Sequence, residues 1–332
     1  MSRAAPQPLP MAPRFITIPT NGITLRAAVQ GSGPLVVMVH GFPEGWYSWR
    51  HQIGPIAQAG FTACAIDVRG YGGSARPAAV ADYSLAQITA DVAGVIEQLS
   101  SDASGVLIGH DWGAPIVWHT ALARPDRVRA VAGLSIPWTG LPSTPFLDVV
   151  KAAYTDRGRF FYQVYFQDIG VAEAELQADV RGALRKFYYA LSGDAPKGTW
   201  PTDKPHGATL LDRLPDPQPF PTWLSPADED QFVAEFEASG FDGPLNRYRN
   251  HAADFAWQQG LMGRRIEQPA LFIGGERDLA LRMLPGVKPV DAMAPHLPGL
   301  RGAHVLPGIG HWTQQEAPGP VTALLLDWLA GL

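Results

Sequence analysis

Val106-Leu107-Ile108-Gly109-His110-Asp111-Trp112-Gly113 reads as a strand, a tight turn and the first turn of a helix. Val106 to Ile108 is continuously apolar and rich in branched residues, as a strand covered on both faces must be. From Trp112 to Ala123 the pattern predicts a helix. Gly109 and Gly113 flank the turn, where strand and helix come too close for larger side chains. The residue at its apex is Asp111. A carboxylate is ionised at neutral pH and can attack carbon without a base to remove its proton. It suits displacement at a saturated carbon, with an ester as the product. An isolated aspartate there would be read as a helix cap. The strand directly before it and the two glycines favour the nucleophile.

Working outward, the same strand-then-helix rhythm recurs. Leu35 to Val39 is a second buried strand and ends in His40-Gly41-Phe42-Pro43-Glu44. A helix is expected over residues 47–59, a strand over Phe61 to Ile66, and a glycine-rich loop from Arg69 to Ser74. Ser84 to Leu99 has a capping serine and helical apolar spacing at Ile88, Val92, Val95, Ile96 and Leu99. Val128 to Ile136 is a further buried strand, and Phe15 to Pro19 and Ile23 to Val29 open the chain as β segments. Strands alternating with helices imply a doubly wound, mostly parallel α/β sheet with right-handed crossovers.

The rhythm stops at Pro137. Residues 137–263 are helical and aromatic, with a proline-rich stretch over 196–221. It resumes with Ala270 to Ile273, the short strand His304 to Leu306 and a closing helix from Thr313 to Leu329. The expected organisation is a leader over residues 1–14, a core over 15–136 and 264–332, and an inserted helical cap over 137–263. The cap would cover the carboxyl edge of the sheet, where open α/β sheets bind ligands.

Composition agrees with a compact enzyme. Of 332 residues, 46% are apolar and 17% charged, against roughly 25% charged in an average protein; this excludes a disordered chain. A formal charge of −5 lacks the basic footprint of a nucleic-acid binder. The lone Cys64 excludes an internal disulfide framework, and no apolar run approaches the ~18–20 residues of a membrane span. With no metal cluster or phosphate loop, no cofactor is expected. A cytoplasmic protein is the expectation, and a homodimer is an assembly open to it.

Cleaving an ester requires activated water. Gly308-Ile309-Gly310-His311-Trp312 follows the last short strand, and His311 is the candidate base. His304 is its rival, but it lies inside the strand pattern. The acid that orients the base is expected at the end of the preceding strand, in Gly274-Gly275-Glu276-Arg277-Asp278. Asp278 is favoured over Glu276, which directly follows the glycines and can brace the turn. The chain order nucleophile, acid, histidine is that of this kind of sheet. The backbone N–H groups of Phe42 and Trp112 are the candidate oxyanion hole, with His40 and Pro43 fixing the turn or lining the site.

Together, HGFPE, DVRGYGGS, GHDWGA, YQVYFQ, RYRN and GIGHWTQQE resemble the soluble epoxide hydrolases of the α/β-hydrolase fold. The resemblance runs from about residue 15 to residue 329. It implies hydrolysis of an epoxide to a vicinal diol, with water and an apolar epoxide as the partners. It also implies two cap tyrosines that give a proton to the epoxide oxygen. These match Tyr162, in Phe161-Tyr162-Gln163-Val164-Tyr165-Phe166-Gln167, and Tyr248, in Arg247-Tyr248-Arg249-Asn250. Tyr165, one turn after Tyr162, is the alternative first donor. Gln163, Tyr165 and Trp312 are further candidates to line the substrate pocket. Two other readings stay open. A haloalkane or haloacid dehalogenase would use the same aspartate, but Phe42 stands where a polar halide ligand often sits. A non-catalytic ligand-binding member of the fold would lack the nucleophile, base or acid, and this chain has all three.

Overall fold

A computed structural model describes residues 12–282 and 288–332; most of the expected leader, residues 1–11, lies outside the described residues. The chain forms β1 (Arg14–Thr20), β2 (Ile23–Gln30), β3 (Leu35–Val39), α1 (Ile53–Gln58), β4 (Thr62–Ile66), α2 (Leu85–Leu99), β5 (Gly105–His110), α3 (Gly113–Ala123) and β6 (Val128–Leu134). Seven helices follow: α4 (Phe146–Ala153), α5 (Tyr162–Tyr165), α6 (Val171–Ala178), α7 (Val180–Leu191), α8 (Pro226–Ser239), α9 (Asp242–Tyr248) and α10 (His251–Gln259). Then come β7 (Ala270–Gly275), β8 (Leu300–Leu306), α11 (Thr313–Glu316) and α12 (Pro318–Ala330).

All eight strands join one sheet in the order β1-β2-β4-β3-β5-β6-β7-β8. β1 with β2 and β2 with β4 are antiparallel, and every other pairing is parallel. Alternate residues of the central strands enter two separate cores. Val37, Val39, Leu107 and Val131 face α2 and α3 on one side. Val36, Met38, Val106, Ile108, Ala130 and Ala132 face α1 and α12 on the other. Burial of both faces is why these strands are unbroken apolar runs rather than alternating ones.

Three elements differ from the sequence expectation. The helix expected over 47–59 splits into a single tight 3-10 turn at Trp46–Trp49 and the short α1. β8 starts four residues early, at Leu300; its alternate residues are exposed, so it lacks the continuous apolar signal of the inner strands. The closing helix breaks at Ala317, which has ψ 56°, because a residue before proline is driven out of the helical region.

Between β6 and β7 the named elements are all helical, with one isolated bridge from Arg159 to Pro205. The proline-rich stretch inside it is tied down by a buried lysine and a half-buried glutamate. Lys204 Nζ donates to the Leu210 carbonyl at 2.7 Å. The Glu175 carboxylate accepts the N–H groups of Leu210 and Leu211 at 3.0 and 2.8 Å. No helix among the described residues is long and apolar enough to cross a membrane.

Candidate active site

Asp111 stands where β5 hands over to α3, with φ 51°, in the left-handed region that ordinary side chains avoid. Neighbouring backbone has to come very close to permit this turn. A Cβ on Gly113 would lie 2.0 Å from the Val39 carbonyl oxygen, and one on Gly41 would lie 2.2 Å from Asp111 Oδ1. The loop after β3 then delivers its Phe42 N–H to Asp111 Oδ1 at 2.8 Å. Trp112 caps α3, so its backbone N–H has no partner inside the helix.

His311 comes from the loop after β8 and Asp278 from the turn after β7. His311 Nε2 is 3.3 Å from Asp111 Oδ2, and its Nδ1 is 3.0 Å from Asp278 Oδ1. Asp278 is fully buried. Burial alone would raise its pKa, but the adjacent His311 ring, by charge and hydrogen bond, holds it below the usual carboxylate range. Burial works against the His311 imidazolium; Asp278 and Asp111 outweigh it and raise the ring well above its ordinary value. The rival acid Glu276 accepts the Gly308 N–H at 3.0 Å and braces the loop, while His304 lies within β8.

A second buried layer supports these groups, and the sequence reading passed over it. His110 and Ser135 both hold the His311 carbonyl oxygen, each at 2.8 Å. The other His110 nitrogen meets Glu44 Oε2 at 2.8 Å, and the same carboxylate oxygen accepts the Gly41 N–H at 2.8 Å. Burial opposes ionisation of Glu44, yet the His110 ring and the Gly41 N–H bring its pKa down to about 2. One carboxylate thus ties the Phe42 loop to the His311 loop. Its position in HGFPE and the histidine of GHDWG were the available signals.

Over this floor sit two phenols from the helical insertion. The Tyr162 and Tyr248 rings are 6.1 Å apart, nearly perpendicular. Tyr248 packs against Phe42 at 5.5 Å and Trp112 at 5.3 Å. Both hydroxyls are held protonated, first by burial and then by the negative charge of Asp111. The guanidinium of Arg247 lies 4.6 Å over the Trp112 ring.

The five other candidate residues are each held by a defined partner. The Tyr165 hydroxyl donates to Glu175 at 2.9 Å, because this carboxylate on α6 turns the ring away from its neighbour one turn before. Trp312 is fully buried, its indole N–H given to the Tyr188 carbonyl at 2.8 Å; it packs edge-on to His311 at 4.8 Å. His40 is spent on the turn: one ring nitrogen lies 2.8 Å from the Gly41 carbonyl oxygen and the other accepts the Val68 N–H at 3.0 Å. The Pro43 carbonyl accepts the Tyr188 hydroxyl at 2.6 Å. Gln163 is buried and donates its amide to the Tyr162 hydroxyl at 2.7 Å. Among the described residues no group of histidines, cysteines and carboxylates could hold a metal ion.

Residues 34–318 match the family profile of the alpha/beta hydrolase fold. Epoxide hydrolase A of Mycobacterium tuberculosis is 39% identical over 327 residues, covering 97% of this chain and 98% of that protein. Epoxide hydrolase B of the same organism is 37% identical over 90% and 92% of the two chains. Among solved structures, epoxide hydrolase A from Mycobacterium thermoresistibile superposes with a TM-score of 0.90 at 40% identity, covering 96% of this chain and 99% of that one. An epoxide hydrolase from an endophytic Streptomyces gives 0.88 at 43% identity and 96% of each chain. On its sheet, its elbow and this likeness over nearly its whole length, the chain belongs to the epoxide hydrolases of the α/β-hydrolase fold.

Proposed function

We propose that the protein opens an apolar epoxide through an ester on Asp111 and releases a vicinal diol. The observation that carries this reading is His311 standing between two carboxylates, 3.3 Å from Asp111 and 3.0 Å from Asp278, beneath the paired phenols of Tyr162 and Tyr248. In the first step Asp111 Oδ2 attacks an epoxide carbon, and the C–O bond breaks with its electron pair moving to oxygen. Tyr162 and Tyr248 face that oxygen, and one of them gives it a proton. A phenol suits this donation because an alkoxide forms late in the step. Oδ1 keeps its hydrogen bond from Phe42 and becomes the ester carbonyl.

The ester carries no charge, so one of the two carboxylates that hold the proton on His311 is lost. The ring thereby gives its proton to solvent and is neutral when a base is needed, and it takes a proton back from solvent once Asp111 is again a carboxylate. It takes a proton from water, and the hydroxide adds to Cγ of Asp111. The oxyanion gathers on Oδ1, where the Phe42 and Trp112 N–H groups receive it; each such donor is typically worth about 2.7–4 kcal/mol. Collapse expels the second diol oxygen, which takes the His311 proton. The helical insertion, residues 137–263, acts as the cap, and Phe42, Trp112 and the two tyrosines supply its apolar lining. Asp278 orients the base.

The test follows diol and halide together, using purified protein with styrene oxide and a bromoalkane. Diol without halide is expected; halide without diol would replace this reading with a dehalogenase. The His311→Gln enzyme should give one equivalent of adduct on the Asp111 peptide by mass spectrometry and no turnover. Normal turnover of that variant would remove His311 from its role.

A further inference from the structure

A phenol oxygen offers one hydrogen and two lone pairs, and the two tyrosines of the Tyr162-Gln163-Val164-Tyr165 turn use them in opposite ways. Tyr165 gives its hydrogen to Glu175 at 2.9 Å and has none to offer a substrate. The Tyr162 oxygen instead receives Gln163 Nε2 at 2.7 Å, and among the described residues no acceptor takes its hydrogen. The Gln163 side chain is buried and starts from a fixed backbone. Gln167 Nε2 donates to the Gln163 carbonyl at 2.7 Å and to the Tyr248 carbonyl at 2.9 Å, so one amide binds the two tyrosine-bearing segments together. Arg249 adds a second tie across the same junction, from its Nε to the Phe166 carbonyl at 2.9 Å.

We propose that Gln163 is the positioning residue of the ring-opening acid: its amide N–H occupies the Tyr162 oxygen, aims the phenolic hydrogen into the site and steadies the phenolate left after proton transfer. This rests on the reading of Tyr162 as a proton donor. The step balances as follows. Asp111 Oδ2 bonds to the epoxide carbon while that C–O bond breaks. Its electron pair takes the Tyr162 proton, and the phenolate so formed keeps the Gln163 N–H as its hydrogen bond. The second proton of the attacking water later returns to the phenolate, when Asp111 is regenerated as a carboxylate. Burial and the Asp111 charge both oppose a phenolate here, and the Gln163 donor is the group that works the other way. A hydrogen bond to an ionised group is stronger than one to a neutral group, so the interaction tightens as the proton leaves.

The experiment is rapid-quench kinetics on styrene oxide with ester formation and ester hydrolysis measured separately. Gln163→Met keeps length and removes the donor. It should slow ester formation about 10- to 100-fold, with hydrolysis and substrate affinity unchanged. In a Tyr162→Phe background the same substitution should have no further effect, whereas in a Tyr248→Phe background it should act in full. Gln163→Glu supplies a second probe. Its carboxylate accepts the phenolic hydrogen, so ester formation should be slow at neutral pH and recover as acid protonates the side chain. Wild-type ester formation in Gln163→Met, or an equal loss with and without Tyr162, would overturn the proposal; so would a Gln163→Glu enzyme without acid recovery. Normal ester formation by Tyr162→Phe alone would instead overturn the acid assignment on which the proposal stands.

Discussion

His311 is where opposing physical effects meet in one side chain. Its burial disfavours the imidazolium, and two carboxylates within 3.3 Å more than reverse that preference. The raised pKa keeps the ring protonated in the resting enzyme, 3.3 Å from Asp111 Oδ2. A base must be neutral, so this resting state would be inert in hydrolysis if it persisted. Ester formation removes the charge of Asp111 and leaves Asp278 as the one adjacent carboxylate. The sign follows directly: the His311 midpoint in the ester lies below that in the free enzyme. Asp111→Asn imitates the loss of charge. The expected outcome is a lower His311 titration midpoint in Asp111→Asn than in the wild type, read from imidazole proton shifts by NMR. Single-turnover ester hydrolysis should likewise rise with pH and level off below the wild-type free-enzyme midpoint. An unchanged midpoint in Asp111→Asn would mean that the 3.3 Å contact carries no coupling.

At the scale of elements, the turn from β5 into α3 is held by contact rather than by hydrogen bonds alone. Gly113 lets α3 begin against the end of β3; a methyl group there would meet the Val39 carbonyl at 2.0 Å, with only backbone to move aside. Gly113→Ala should therefore cost about 1–3 kcal/mol, measured by chemical unfolding, and activity should fall as the elbow shifts. A stable and fully active Gly113→Ala protein would show that β3 and α3 can part without disturbing Asp111. This turn was legible because its requirements are local: an apolar strand, two glycines and a carboxylate lie within eight residues. The Asp278 and His311 positions followed from the ends of later strands. The partners of three other candidate residues lie in places the local pattern does not reach. Tyr165 turns away because of Glu175 on the next helix, Trp312 is sealed under Tyr188, and His40 is used up on the backbone at Gly41 and Val68. No periodicity in the neighbouring sequence encodes those meetings. β8 escaped full detection for a different reason, since a strand with one exposed face carries only an alternating signal.

Across the whole molecule, a buried ion pair inside the insertion fastens it to the α/β core beside the site. Asp254 on α10 accepts the Leu85 N–H at the start of α2 at 2.7 Å. Its other oxygen meets the Arg247 guanidinium, which also donates to the Tyr83 carbonyl and lies over Trp112. Burial lowers the Arg247 pKa to about 9, opposed in part by the nearby tyrosines. A guanidinium so placed depends on its carboxylate. Asp254→Ala would strand that charge and leave the Leu85 N–H without its partner. Breaking a buried pair from one side typically costs 3–5 kcal/mol, so a loss of about that size is expected in urea unfolding, with little dependence on salt. Arg124 and Glu97 make the opposite kind of pair, 3.0 Å apart with both side chains more than a third exposed. Arg124→Ala should change stability by only about 0–1 kcal/mol, and raising the salt should shrink even that difference. Because Arg247 also supports the Trp112 ring, the Asp254→Ala enzyme should lose turnover at temperatures where it remains folded. A folded, fully active Asp254→Ala protein would mean that the joint between insertion and sheet rests on apolar packing, and that Trp112 needs no cation to hold it beside the nucleophile.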